Sequence, residues 1–104
     1  MVGKTSILTA QVALADMGTV MAQGVERLYA GKAFSPELDF ETVSSRFGAF
    51  RGLHAQLGEA MARGQDGLVL NLVNSMISMS GLLFGPALAQ RLGADLLRIG
   101  RHYA

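Results

Sequence analysis

Apolar residues recur at steps of three and four along most of the chain, which is the spacing of one face of an α-helix. The first such stripe begins after Thr5 or Ser6, either of which can cap a helix, and Gly31 is expected to end it. This pattern predicts one long first helix. Its stripe consists of Ile7, Ala10, Leu14, Met17, Met21, Gly24 and Leu28.

A second stripe of the same period follows a short connection. Ser35 is the predicted cap, and Pro36 suits the first helical position, where no N–H is needed. The helix should end at Arg63, before Gly64. Because the two stripes match in period, we expect these two helices to pack as a long antiparallel hairpin. The second stripe consists of Phe40, Val43, Phe47, Phe50, His54, Leu57 and Met61.

Two shorter helices complete the pattern. The third should be capped by Asp66 and end near Phe84, because Gly85 and Pro86 interrupt the apolar spacing. Its apolar residues cover more than half of the circumference, so we expect it to be buried on most sides. The fourth is predicted from Pro86 to Tyr103. Its apolar face consists of Leu88, Leu92, Leu96 and Ile99, and the residues spaced for side-chain pairing are Arg91, Asp95 and Arg98.

These patterns predict an all-α fold, a small helical bundle made of a long antiparallel hairpin and two shorter helices. Residues 1–104 should form one domain, since a chain of this length holds one hydrophobic core. Half of the residues are apolar and only 16% are charged, against a usual share of about 25%. We therefore expect another copy of the chain or another helical protein to cover part of the surface, with a membrane as the less favoured alternative.

The charge pattern and the absence of cysteine exclude several classes of protein. The net charge is +1 and the basic residues are scattered among acidic ones, unlike the basic surface of a nucleic-acid-binding protein. Without cysteine there are no disulfides or thiolate metal sites. The apolar ILTAQVALA is followed by Asp16 and by more of the same stripe, unlike a cleaved signal peptide. We therefore favour the cytoplasm, or export by a route without a cleaved signal.

His54 is the strongest candidate for chemistry, because it stands in the second stripe where a large apolar residue is expected. It could bind a haem or a metal in the core of the bundle, or it could be a partly buried histidine bonded to a main-chain carbonyl or water. A metal site needs several converging ligands, and the other histidine, His102, is distant in sequence. We prefer the structural role. We expect no catalytic residue, metal site or cofactor, and the tetrapeptide GKTS at 3–6 lacks the upstream glycine of a phosphate-binding loop.

The segment 67–90 carries no charge and is longer than the ~20 residues that cross a bilayer. Two asparagines, three serines and the break at Gly85 and Pro86 divide it, so a protein interface is the preferred interpretation. The predicted interface residues lie along the third helix. They are Leu70, Asn74, Ile77 and Gly81.

The last third of the chain, DGLVLNLVNSMISMSG and LAQRLGADLLRIGR, resembles the C-terminal helices of the type III secretion inner-rod and flagellar rod-adaptor proteins. The shared features are the apolar spacing and a terminal Leu-Leu-Arg, aligned with a gap. Those proteins are small helical subunits that polymerise, so the resemblance implies a structural subunit of a secretion or filament assembly. From the residues themselves we favour a non-enzymatic helical protein that self-associates or binds another helical protein. A bundle that binds a cofactor through His54 is the third interpretation.

Overall fold

The computed structural model describes residues 5–104, and over this range the chain forms five α-helices and no strand. This confirms the all-α fold and the small helical bundle. The first two residues of the GKTS tetrapeptide lie outside the described residues. The helices are α1 (Ile7–Met21), α2 (Val25–Ala30), α3 (Phe40–Ala62), α4 (Asp66–Leu83) and α5 (Pro86–Tyr103).

The single first helix predicted to run to Gly31 is wrong, because α1 ends at Met21 and α2 is a separate short helix. The break lies at Gly24, whose φ of 84° is a conformation that residues with a side chain rarely adopt. The helical spacing of apolar residues continues across the break, so the stripe alone does not reveal it. α2 ends at Ala30, and Lys32, two residues later, is left-handed with φ of 59°.

The second predicted helix exists but begins later than expected. α3 starts at Phe40 and not at Pro36, because Asp39 provides the cap by accepting a hydrogen bond from the Thr42 N–H at 2.7 Å. The Ser35 N–H instead donates to the main-chain oxygen of Leu83 at 3.0 Å, which holds this residue in the connection.

The other signals at helix ends are confirmed with one exception. Ser6 caps α1 by accepting from the Thr9 N–H at 3.1 Å, and Gly64 follows α3 with a left-handed φ of 66°. Pro86 is the first residue of α5. Asp66 is the first residue of α4 and not its cap; Gln65 takes that position without a side-chain hydrogen bond.

α5 packs along both α1 and α4, and α4 also packs along α3. α1 and α3 meet only over a short stretch, so the expected full-length hairpin of the two is not the main contact of the bundle. The buried side of α1 is rotated from the predicted stripe. Ile7 is 43% exposed, while the buried residues of α1 are Ala10, Ala13, Met17, Val20 and Met21.

An aromatic cluster closes one end of the bundle. Phe34, in the connection before α3, and Phe84, after α4, form an antiparallel bridge, and their rings stack at 5.4 Å between centroids. Phe47 and Phe50 of α3 pack edge-on against Phe84 at 6.2 and 5.2 Å. The aromatic stripe of α3 is therefore largely core, whereas Phe40 at its start is 44% exposed.

Candidate functional site

α4 presents one uncharged face to solvent, which we call the α4 outer face. Only a third of this helix is buried, so the expectation that it would be buried on most sides is wrong for the single chain. The reason is that α3 and α5 both cover the same side of it. Leu68 and Leu82 on the free side are 44% and 69% exposed. The α4 outer face consists of Gly67, Leu68, Asn71, Asn74, Ser75, Ser78, Gly81 and Leu82.

The four predicted interface residues lie on one helix face, along an edge of the α4 outer face. Asn74 and Gly81 are exposed and belong to that face. Leu70 and Ile77 are half-buried, and Ile77 packs against the core. The four predicted residues therefore lie together. The centre of the α4 outer face lies to one side of them, among the small polar residues.

α4 is also the one helix in residues 5–104 that is long and apolar enough to cross a membrane, judged by length and composition. A core helix of a water-soluble bundle passes the same test. One side of α4 belongs to the core of the bundle, since Val69, Val73 and Met76 are at most 3% exposed.

His54 has the structural contact expected of the preferred interpretation. Its Nε2 lies 2.9 Å from the main-chain oxygen of Leu14 on α1. The neighbouring Gly18 leaves space for the ring, because a Cβ at that position would be 3.4 Å from the His54 Cε1. His102 makes a similar bond, from Nδ1 to the main-chain oxygen of Thr5 at 2.7 Å.

Nothing in the part of the chain that the structure describes groups three or more histidine or carboxylate side chains as metal ligands. Each histidine ring is hydrogen-bonded to a main-chain oxygen. His54 bonds to Leu14 of α1, and His102 bonds to Thr5, the residue before the cap of α1. Their contacts support a role in holding the first helix against α3 and α5.

A cluster of four charged side chains lies between α1 and α5. Arg98 donates from Nη1 to the Asp95 Oδ1 at 2.7 Å, as the spacing predicts. Arg91 does not pair with Asp95; its Nη2 donates across to the Asp16 Oδ1 on α1 at 3.0 Å. The pairing differs because α1, not predicted to lie here, brings Asp16 to the surface of α5. Asp95 is only 3% exposed, whereas the side chains of Asp16 and both arginines are partly exposed.

The two carboxyl groups of this cluster differ in proton affinity. Burial, together with the hydrogen bond and charge of Asp16, raises the pKa of Asp95 to about 6, although Arg98 acts in the opposite direction. Hydrogen bonds from Asp95 and Arg91 lower the pKa of Asp16. Asp95 is thus the carboxyl group that keeps a proton when the pair is partly ionised.

The sequence spacing predicted pairing among Arg91, Asp95 and Arg98 but not the burial of Asp95 or the part of Asp16, although one signal was present. Asp95 stands three positions after Leu92 and four before Ile99, so it lies on the apolar side of α5 where a carboxylate must find a partner. Its partner Asp16 lies in a distant part of the sequence, and no local spacing identifies it.

Comparison with protein-family models, with curated proteins and with solved structures gives no match for this chain. The resemblance to the rod proteins therefore rests on the residues quoted for it.

Proposed function

We propose that this protein is a non-enzymatic helical protein that self-associates through the α4 outer face. The observation that supports this proposal is the exposure of a helix that has no charge after Asp66. A helix on the surface of a monomer usually has charged or strongly polar residues on its solvent side. Here that side has two exposed leucines, Leu68 and Leu82, with small residues between them.

The arrangement of the face suits an antiparallel pair of identical helices. Leu68 and Leu82 lie about two turns before and two turns after Ser75. A twofold axis near Ser75 would therefore place Leu68 against Leu82 of the second copy, so that both exposed leucines are covered at once. The glycine and serine residues of the face permit close approach of the two backbones, and Asn71 and Asn74 can both donate and accept hydrogen bonds across the contact.

A second α4 outer face is favoured as the partner over a charged surface, because the α4 outer face has no charged side chain that could form an ion pair. A carboxylate or ammonium group buried against it would lose its hydration without gaining an ion pair. A second α4 outer face avoids this cost, since it brings only hydroxyl, amide and apolar groups.

The test is sedimentation of the parent chain and of Ser75→Glu at tens of micromolar, roughly the range in which a micromolar Kd gives mostly dimer. Ser75 is exposed, so the change should leave the folded monomer intact while placing two like charges beside each other at the axis. Ser45→Glu, at an exposed position of α3, is the matched control. We expect the parent and Ser45→Glu to be oligomers and Ser75→Glu to be a folded monomer by circular dichroism.

A monomeric parent would contradict self-association. An oligomer that Ser75→Glu leaves intact would place the contact on another face. The double change Leu70→Glu and Ile77→Glu does not separate loss of the interface from loss of the fold, because both side chains are half-buried and the charges would also disturb the bundle.

A second exposed face favours the structural subunit of a secretion or filament assembly as the alternative function. α1 exposes Leu8 at 67% and Val12 at 61%, with Ala15 beside them, and this apolar face is bordered by Asp16 and Arg98. α1 is not one of the two helices that flank α4, so two separate contacts per subunit can extend an assembly beyond a dimer. Sedimentation that keeps increasing with concentration, and stops at a dimer in Val12→Glu, would support a polymer. A bundle that binds a cofactor through His54 would instead show visible absorbance in the purified protein.

A further inference from the structure

The boundary between α1 and α5 contains a buried acceptor that the described side chains leave unpaired. The Asp95 Oδ1 accepts from Arg98, but the Asp95 Oδ2 is buried and has no hydrogen-bond donor among the residues described. A buried carboxylate oxygen without a donor is unfavourable, since it loses its hydration and gains nothing in return. A proton on this carboxyl group would turn the acceptor into a donor, and the carboxylate of Asp16, which lines the same surface cavity as Asp95, offers an acceptor for it.

The groups that face Asp95 come from two helices. α1 contributes Asp16, and α5 contributes Arg98, with Arg91 occupied by Asp16. His102 of α5 is bonded to the main chain before α1. α4, the other helix packed on α5, has one titratable side chain, Asp66, which lies at its first residue and acts on Tyr103 instead.

We propose that Asp16 and Asp95 hold one proton between them and that loss of this proton to solvent loosens α1 from α5. In the closed state the Asp95 O–H donates to the carboxylate of Asp16. When the proton leaves, two negative charges face each other across the boundary, and Asp95 is left ionised in a site largely closed to water. The two arginines reduce this repulsion, but each already donates to only one carboxylate. The proposal does not depend on self-association through α4.

The direction of the pH effect follows from the two pKa shifts. The pKa of Asp95 is raised from 3.8 to about 6, so its stabilising effect is full below 3.8 and is lost as the pH rises through about 6. The pKa of Asp16 is lowered, so its own contribution changes only at more acidic pH. Between about pH 5 and pH 7 the opening of α1 should therefore increase by up to about tenfold.

The first test is a carbon-13 NMR titration of the aspartate carboxyl groups in the parent, in Asp16→Asn and in Glu59→Gln. Glu59 is an exposed carboxylate of α3 that is paired with Arg63, so Glu59→Gln removes the same charge from outside the Asp16–Asp95 pair. We expect Asp95 to titrate near pH 6 in the parent and in Glu59→Gln, and at clearly lower pH in Asp16→Asn. Titration of Asp95 near its ordinary value, or a raised midpoint that Asp16→Asn does not move, would overturn the shared proton.

The second test is amide hydrogen exchange in the parent chain, corrected for the intrinsic rate at each pH. We expect protection of the α1 amides to fall relative to those of α3 between about pH 5 and pH 7, by up to about tenfold. In Asp95→Asn, which carries no titrating proton at this site, the relative protection should stay constant. Relative protection of α1 that is independent of pH in the parent would overturn the proposed loosening.

Discussion

His54 on α3 and Leu14 on α1 are joined by a hydrogen bond of 2.9 Å between the imidazole Nε2 and a main-chain oxygen. It is a direct polar link at the short stretch where these two helices meet. His54, which the sequence offers as a candidate metal or haem ligand, is thus hydrogen-bonded to the protein's own main chain.

His54→Leu should therefore keep the fold and lose about 1 kcal/mol of unfolding free energy, the usual net value of one such bond. His54→Gln retains a donor and should lose less. Urea unfolding of the three proteins measures both effects. A stoichiometric metal or haem signal that vanishes in either variant would show that the structural role is wrong.

Phe47→Ala should be among the most damaging substitutions in α3. Phe47 is 2% exposed, and its ring lies edge-on to Phe34 at 5.5 Å and to Phe84 at 6.2 Å. Removing it should cost about 3 to 5 kcal/mol of unfolding free energy. Phe40→Ala is the matched control, because Phe40 is 44% exposed and should cost much less. Equal costs for the two changes in thermal or urea unfolding would contradict the burial of the aromatic cluster.

Arg98→Gln should destabilise the protein more at pH 7 than at pH 5. Arg98 lowers the pKa of Asp95 by stabilising its ionised form, and that form predominates only above about pH 6. Urea unfolding at both pH values measures the difference. Arg63→Gln removes an exposed arginine paired with Glu59 and should change stability by less than about 1 kcal/mol at either pH. A pH-independent effect of Arg98→Gln would mean that Asp95 does not change its ionisation between these two pH values.

Gly48→Ala and Gly52→Ala together should stabilise the protein. Both glycines lie inside α3 and are exposed, and a Cβ at either position meets no atom within 4 Å. Each change should add on the order of 1 kcal/mol, because alanine loses less conformational freedom in a helix. Gly24→Ala, at a φ of 84°, should instead destabilise the chain. Thermal unfolding gives both signs. The four-residue spacing of Gly48 and Gly52 would permit close helix packing, but within the described chain no neighbouring atom lies within 4 Å of a Cβ at either position.

Helix ends with a local chemical signal could be predicted from the sequence, and those without one could not. Ser6, Gly64 and Pro86 act through their own side chain or backbone, so the helix ends beside them could be predicted from these residues alone. Gly24 gives no such signal, because a glycine inside a helix has the same spacing as a glycine that breaks one. Ser35 and Asp39 both offer capping oxygens, and the sequence does not distinguish them; in the structure Ser35 lies in the connection, where its N–H donates to the distant Leu83.

In the candidate site too, some features could be predicted from the sequence and others could not. The absence of charge on α4 after Asp66 was visible in the sequence, but the exposure of this helix depends on α3 and α5 covering the same side. The pairing of Asp16 with Arg91 depends on α1 packing along α5, whereas matched stripes favoured α3 as its neighbour. Periodicity shows that a helix has a buried side, and only approximately which one in α1, and it leaves the neighbouring helix undetermined.

The bridge between Phe34 and Phe84 also bears on how the chain can be divided. It joins the connection before α3 to the connection after α4, so main-chain contacts hold together the two ends of the segment that contains these helices. A cut in the turn between α3 and α4 would leave Phe34, Phe47 and Phe50 on one fragment and Phe84 on the other. Neither fragment would possess the complete aromatic cluster. The two pieces should therefore acquire structure by binding each other, so that the protein could be reconstituted from two separately expressed halves.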